Sequence, residues 1–357
     1  MTAATPEDLR WLDAAVRYAT PFLGTTGDTP STAALVVDIR NDTLVARAVT
    51  ARNGRPHAEA QALERAGFEA AGCTLYVTIE PCHHWGRTPP CVDGIVRSGV
   101  MRVVIGIADP DPRTAGESVK RLESAGIEVI LANHAPSAAL HAGHLHRHRD
   151  GRPFVTAMLA VSPDDRIVTP AAGPAADWLD LQRARSDAVL VGAATARGTD
   201  PQLIVRISGL ESRTPLRVVL AGAKGVDRRL NVIGGFSGYR TAIIAETTVP
   251  VDAPVSVEIL RVAGTKGRPD LAAALGALAG KGIQNLLVEP GPRLAAALLE
   301  ADLIDCFALI TTSSGATDGP PASPDGRIAS LLDAAGLVAG APQTLGADTL
   351  TLFRRPA

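Results

Sequence analysis

The chain has 357 residues, 46% of them hydrophobic and 20% charged, the balance of an ordinary globular protein rather than a disordered or fibrous one. A net charge of −2 advertises neither a nucleic-acid surface nor an acidic tail, and no run of about 18 apolar residues is present to span a bilayer as a helix. The length exceeds one comfortable core, so two domains are expected.

In chain order, the opening MTAATPEDLRWLDAAVRYA lacks the basic-then-apolar layout of a signal peptide. Thr5 ahead of Pro6, Glu7 and Asp8 instead predicts a capped helix with acids in its first turn. AALVVDI, TLYVTIE, RVVIGIAD and GIEVILA read as buried strands. Between them lie the helical patterns HAEAQALERAGFEAAG, CVDGIVRSG and AGESVKRLESAG, most ending at a glycine stop. Such alternation predicts an α/β layer on a mostly parallel sheet. The His-rich stretch GHLHRHRDGRPFV (143–155) reads as a solvated helix end and linker rather than a metal site built from His141, His144, His146 and His148. Beyond it, PFVTAMLAV, AVLVGAA, LRVVLAG, TAIIAE, NLLVEPG and FALITTS repeat the class with no internal sequence repeat. The Gly/Pro/Ser-rich segment 313–327 reads as a surface loop.

The chemistry concentrates in residues 55–91. His57 and Glu59 sit at the start of a helix, a strand ends in Glu80-Pro81, and Cys82 and Cys91 follow. One nitrogen and two thiolates would leave a fourth zinc position open for water, which a catalytic metal needs. The order His-x-Glu…Pro-Cys is a signature of zinc deaminases of nucleobases, with the Glu as general acid and base. Two other readings stand beside this one. Cys82 and Cys91 are buried core thiols, or His83 or His84 closes the site as a structural fourth ligand. Cys73 and Cys306 read as core, and four unevenly spaced cysteines are no disulfide framework, which fits a cytoplasmic location.

The segment PCHHWGRTPPC, with GRPHAE (54–59), ADPDP and AGES (108–118) and GRPFV, resembles the bifunctional riboflavin-biosynthesis pyrimidine deaminase/reductase family over nearly the whole chain. The resemblance implies a cytidine-deaminase-like three-layer domain at 1–147 and a dihydrofolate-reductase-like domain at 152–357. It implies zinc on His57, Cys82 and Cys91, with Glu59 as proton shuttle and His84, Arg87 and Thr88 shaping the pocket. The implied substrate is a small phosphorylated pyrimidine, 2,5-diamino-6-ribosylamino-4(3H)-pyrimidinone 5′-phosphate. It would be deaminated first, and its ribosyl chain then reduced to ribityl with NADPH. On the family pattern Arg183, Leu203, Arg206 and Glu289 contact the substrate, while Thr195, Thr199 and Gly291 contact the cofactor. A homo-oligomer is implied, with no nucleic-acid or membrane partner.

The sequence departs from the pattern at named places. DTPSTAA (28–34) lacks the Asn of the family's PNPxVG, and Asn53 is not the matching position. In the second half Met158 replaces Lys, Asp165 replaces Gly, Thr199 replaces Asp, Pro290 replaces Gly, and the segment at 169–176 is shortened. An added acid and a lost amide both oppose an anionic cofactor. Without the resemblance, VEPGPRLAAALLEADLID (288–305) reads as an ordinary strand–turn–helix connection whose helix start could hold a phosphate. The rival readings are a deaminase whose second domain does not reduce, a deaminase retargeted to another base-like compound, and a zinc-stabilised scaffold without turnover.

Overall fold

Helix α1 (Pro6–Ala19) opens on a complete capping box: Asp8 N–H donates to Thr5 Oγ1 at 3.2 Å, and Thr5 N–H donates back to Asp8 Oδ2 at 2.9 Å. The computed structural model describes residues 3–86, 88–170, 172–235, 238–313, 319–323 and 328–356. The chain divides between Gly151 and Arg152 into two units.

In the first unit the strands are β1 (Ala33–Asp38), β2 (Thr43–Val49), β3 (Thr74–Val77), β4 (Arg102–Ile105) and β5 (Glu128–Leu131). The helices after α1 are α2 (Ala58–Ala66), α3 (Cys91–Ser98), α4 (Glu117–Ser124), α5 (Ala135–Leu140) and α6 (Ala142–Arg149). The sheet order is β2-β1-β3-β4-β5, antiparallel over its first three strands and parallel from β3 to β5. The strand period of two sorts the core into two faces. Ala34, Val36, Leu75, Val77, Val103 and Ile105 pack against α2, α3 and α4. The alternate residues Leu35, Tyr76, Val104 and Ile130 pack against α1 and α5. The unit is therefore a three-layer sandwich whose parallel strands are apolar on both sides.

In the second unit, β6 (Phe154–Val161), β7 (Ile167–Val168), α7 (Pro174–Arg185), β8 (Ala188–Gly192) and α8 (Ala193–Thr199) are followed by β9 (Leu216–Leu220), β10 (Thr241–Glu246) and β11 (Val257–Val262). A two-stranded ribbon, β12 (Gly264–Thr265) with β13 (Arg268–Pro269), precedes α9 (Leu271–Gly280), β14 (Asn285–Val288), α10 (Pro292–Glu300) and β15 (Cys306–Thr311). The chain ends with α11 (Ile328–Ala334), β16 (Val338–Ala339), β17 (Gln343–Leu345) and β18 (Asp348–Arg354). The main sheet runs β11-β10-β9-β8-β14-β6-β15-β18-β16, parallel from β11 to β15 and antiparallel at β18. Val155, Ala157 and Leu159 face α9, α10 and α11, whereas Met158 and Ala160 face α7 and α8.

Besides the two- and three-residue strands β7, β12, β13, β16 and β17, three longer strands lie outside the expected series: β2, β11 and β18. Each mixes charged residues with apolar ones (Arg47, Glu258 and Arg354), as strands at or near a sheet edge do, so none reads as a continuous apolar run. The stretch at 143–155 holds the expected helix end, α6 closing at Arg149, but it is less solvated than read: His144 is buried, as is His141 just before α6. Most of the 313–327 segment lies outside the described residues.

One ion pair fastens α1 to the sheet. Arg102, at the start of β4, donates from Nη1 and Nη2 to Asp8 at 2.6 and 2.8 Å, and the Tyr76 hydroxyl donates to the same carboxylate at 3.0 Å. Burial alone would raise Asp8; the Arg102 guanidinium and the Thr5 donors outweigh it and hold the carboxyl at about 2, against an ordinary 3.8. A depressed folded value means stability fully present above pH 3.8 and lost as pH falls through 2, worth about 2 kcal/mol. Arg102→Ala leaves Asp8 buried without its cation and is expected to lower unfolding free energy at pH 7 by about 3 kcal/mol in urea titration. In Asp8→Asn the loss of stability between pH 4 and 2 is expected to shrink; an acid limb identical to wild type would remove Asp8 as its cause.

Candidate active sites

The first site is assembled from two helix starts and one strand end. His57 is the residue before α2, Glu59 lies in its first turn, and Cys91 is the first residue of α3. Cys82 follows β3 by five residues, on the segment that leaves the sheet at Glu80-Pro81. Gly54 lets the chain turn into α2: its φ is +84°, and a Cβ there would lie 2.5 Å from Thr29 Oγ1 and 2.9 Å from the Thr26 carbonyl. Only glycine meets both conditions.

His57 Nδ1 lies 3.2 Å from Cys91 Sγ and 3.5 Å from Cys82 Sγ, and Cys91 N–H donates to Cys82 Sγ at 3.3 Å. All three donor atoms fall within 4.8 Å of one another, and among the described residues no other group of three His, Cys, Asp or Glu side chains converges this way. Zinc bonded at about 2.0–2.3 Å in a tetrahedron separates its ligand atoms by roughly 3.5–3.8 Å, so this nitrogen-and-two-sulfur set fits zinc. His83 and His84 are not part of the group. The His84 ring instead lies 3.3 Å from Thr114 Oγ1. The donor set is thus the three-ligand kind that leaves a position open.

The electrostatics are those of ionisable groups buried together. The Cys91 thiol and the His57 ring hold Cys82 well below the ordinary thiol range against the effect of burial. The Cys82 thiolate, with burial, pushes Cys91 up. Burial opposes a charged His57, and the Cys82 sulfur outweighs it and moves the ring upward. Glu59 is 3% exposed, and burial raises its carboxyl above the usual range, offset only in part by His57. Such a carboxyl is suited to exchanging protons near neutrality.

Beside His57 opens a pocket of about 340 Å³. Its wall includes Asp28, Thr29 and Pro30, from the segment lacking the family's Asn, and also Asn53, whose φ is +63°. The wall also includes residues that composition and spacing did not assign to a pocket, among them Arg55, Asp109, Asp111, Arg113, His144, Arg147 and His148. A buried carboxylate, Glu80, holds one side in place by accepting N–H bonds from Asp109 (3.3 Å) and Gly116 (2.9 Å). His144 Nε2 sits 2.9 Å from Asp109 Oδ1, while His141 Nε2 sits 2.9 Å from Thr78 Oγ1. The sequence signals for this wall were the GRPHAE match, which contains Arg55, and the ADPDP…AGES match, which contains Asp109 and Asp111. Of the residues expected to shape the pocket, His84 lines it, Thr88 accepts from Arg55 Nη1 at 2.9 Å, and Arg87 lies outside the described residues.

In the second unit a pocket of about 500 Å³ brings together Arg183, Thr195, Thr199, Leu203, Arg206 and Glu289, with Met158 and Pro290 in the wall. Gly291, the cap of α10, is so close to Thr195 that a Cβ would lie 2.4 Å from its hydroxyl. Arg183 is nearly saturated: it donates to both oxygens of Glu289 at 2.7 and 2.8 Å, to Asp180 at 2.8 Å and to the Ile204 carbonyl at 3.1 Å. Asp180 also accepts from Arg206 Nε at 3.0 Å and its backbone N–H at 2.9 Å. Arg206 Nη2 also donates to Asp180, at 3.3 Å, and the side chain, 44% exposed, lines the pocket. The Asp165 carboxylate accepts the Ile328 N–H at the start of α11 at 3.1 Å, and Asp165 is not among the residues of this pocket wall. Ala171, in the shortened 169–176 segment, lies outside the described residues.

Comparison with known proteins agrees with both halves. Residues 6–107 match the family described as cytidine and deoxycytidylate deaminase zinc-binding region, and residues 153–343 match the RibD C-terminal domain. The riboflavin biosynthesis protein RibD of Escherichia coli (strain K12) is 34% identical over 322 residues, 84% of this chain and 86% of that protein. Its counterpart in Mycobacterium tuberculosis (strain ATCC 25618 / H37Rv) is 35% identical over 305 residues, 82% of this chain and 80% of that one. Among solved structures, Acinetobacter baumannii RibD aligns with a TM-score of 0.83 at 27% identity, covering 98% of this chain and 99% of that one. The Thermotoga maritima diaminohydroxyphosphoribosylaminopyrimidine deaminase/5-amino-6-(5-phosphoribosylamino)uracil reductase aligns with a TM-score of 0.81 at 26% identity, with the same coverage. With a zinc-type donor set in one unit, a RibD C-terminal domain in the other, and relatives matched along most of their length, this chain belongs to the RibD family of riboflavin-biosynthesis proteins.

Proposed function

We propose that the first unit hydrolytically deaminates 2,5-diamino-6-ribosylamino-4(3H)-pyrimidinone 5′-phosphate and that the second reduces the ribosyl chain of the product to ribityl with NADPH. The observation that carries this reading is the convergence of His57, Cys82 and Cys91 within 4.8 Å, with buried Glu59 two residues from the imidazole ligand. Zinc, when held there, lowers the pKa of its bound water toward 7 and so supplies a nucleophile at neutral pH. The chain's own residues do the rest. Cys82, five residues beyond β3, and Cys91, at the start of α3, would offer the sulfur ligands. Glu59 takes the proton released by the attacking water and delivers it to the departing ring amine. One water is consumed, the C–N bond breaks, ammonia leaves, and a ring carbonyl remains. A scaffold would need no buried carboxyl beside its ligands, which weighs against that rival.

In the second unit NADPH supplies a hydride when bound, and we assign its contacts to Thr195, Thr199 and the Gly291 turn. Leu203 and Arg206 meet the substrate, Arg206 with charge-assisted bonds suited to a phosphate. Arg183 acts mainly through Glu289, because its own donors are mostly spent on Glu289, Asp180 and Ile204. The same reading places the chain in the cytoplasm as a homo-oligomer acting on small molecules, without nucleic-acid or membrane partners. Four unpaired cysteines support the cytoplasmic part of this reading.

Glu59→Gln is expected to retain zinc by metal analysis while ammonia release falls by about 10²- to 10⁴-fold; undiminished turnover would take Glu59 out of the mechanism. Cys82→Ser is expected to lose both zinc and deamination together. Titration of the zinc-loaded protein with NADPH, followed by cofactor fluorescence, is expected to saturate. No binding at millimolar cofactor would instead support the reading in which the second unit does not reduce.

A further inference from the structure

The pocket beside His57 is lined by three arginines, Arg55, Arg113 and Arg147, and they differ in what already holds them. Arg113 folds onto Asp111, with Nε 3.0 Å from both carboxylate oxygens and Nη2 2.5 Å from one. Arg147 donates to the Asp28 carbonyl at 3.3 Å. Arg55 has a neutral partner: Nη1 donates to the Thr88 hydroxyl at 2.9 Å. Its Nη2 lies against Gly86, 3.1 Å from where a Cβ would sit, so a side chain at 86 would have to push the guanidinium aside. The wall's carboxylates are mostly spoken for in turn, Asp109 by His144 and Asp111 by Arg113, with Asp28 the third. Arg55 is therefore a half-buried, oriented cation whose charge meets no carboxylate among the described residues. Taking a cation partly out of water without a counter-charge is unfavourable until an anion arrives.

We propose that Arg55 receives the 5′-phosphate of the pyrimidine substrate in the first unit and makes deamination selective for the phosphorylated compound. This rests on the deaminase reading of that unit. The phosphate is the substrate's full anionic group, and a planar guanidinium meets it with parallel charge-assisted bonds. Thr88 occupies one N–H of Nη1, which leaves the remaining donors of the fork to the ligand and sets their direction. Arg55 precedes the ligand His57 by two residues, so the same backbone turn that places the metal ligand places the anion receptor.

The test compares zinc-loaded wild type, Arg55→Ala and Arg55→Lys on the phosphorylated substrate and on its dephosphorylated counterpart, with zinc content checking that each variant has folded its site. In Arg55→Ala the loss of kcat/KM on the phosphorylated substrate is expected to exceed the loss on the dephosphorylated one by tenfold or more, through KM, with Arg55→Lys intermediate. Equal losses on both, or no loss, would overturn the proposal. A calorimetric titration with ribose 5-phosphate gives a second arm that needs no turnover. Its stoichiometry is expected to fall by one site per chain in Arg55→Ala, whatever the second unit binds; an unaltered stoichiometry would overturn the assignment. If zinc-loaded wild type deaminates neither compound, the deaminase reading fails, and the calorimetric arm still decides whether Arg55 holds a phosphate.

Discussion

Two sulfur atoms, an imidazole and a carboxyl are held in one small volume of an apolar domain, and the first unit is organised around keeping them there. Ionisable groups so buried shift one another: Cys82 goes down, Cys91 and Glu59 go up. His57, Cys82 and Cys91 would hold a divalent cation there, whose charge would favour both sulfurs as thiolates and offset the cost of their burial. The surrounding structure supplies rigidity. Cys91 N–H is bonded to Cys82 Sγ, Val92 N–H to the Cys82 carbonyl at 3.3 Å, and Ser118 Oγ to the Pro81 carbonyl at 2.6 Å, so both sulfur-bearing segments are fixed independently of any metal.

The second unit solves a different electrostatic problem. Its pocket is lined by two arginines and the carboxylate of Glu289, and Asp180 lies behind them, bonded to both arginines. Arg183 is committed to its internal partners, so its charge organises the wall and leaves Arg206 as the cation with donors to spare. The sequence departures take on physical meaning in this setting. Asp165 is used at the start of α11, whereas Met158 and Pro290 lie in the pocket wall and change its polarity where a ligand would touch it.

The strand series and the layer class were legible because parallel strands buried on both faces are written as short apolar runs, such as AALVVD and RVVI. Strands near the edge escaped the same reading, since TLVARAV and DTLTLFR mix charge with apolar residues. The His-rich stretch was misjudged for a related reason. Histidine is polar in composition, but His141 and His144 are buried because Thr78 and Asp109, distant in sequence, offer them partners.

The amino-acid sequence by itself determined the zinc-type donor set, because the chemistry requires nitrogen and sulfur ligands with a nearby carboxyl, and those residue types occur in a recognisable order. It also determined the two-unit α/β plan, through strand and helix periods that are local. Only the tertiary structure decided that Arg55 meets no carboxylate among the described residues while Arg113 and Arg183 have theirs, that Asp165 accepts the first N–H of α11, and that Glu80 braces a loop. Those outcomes depend on which side chains from distant segments arrive within about 3 Å of one another. Such distances belong to the packed fold and are written in no single stretch of the chain.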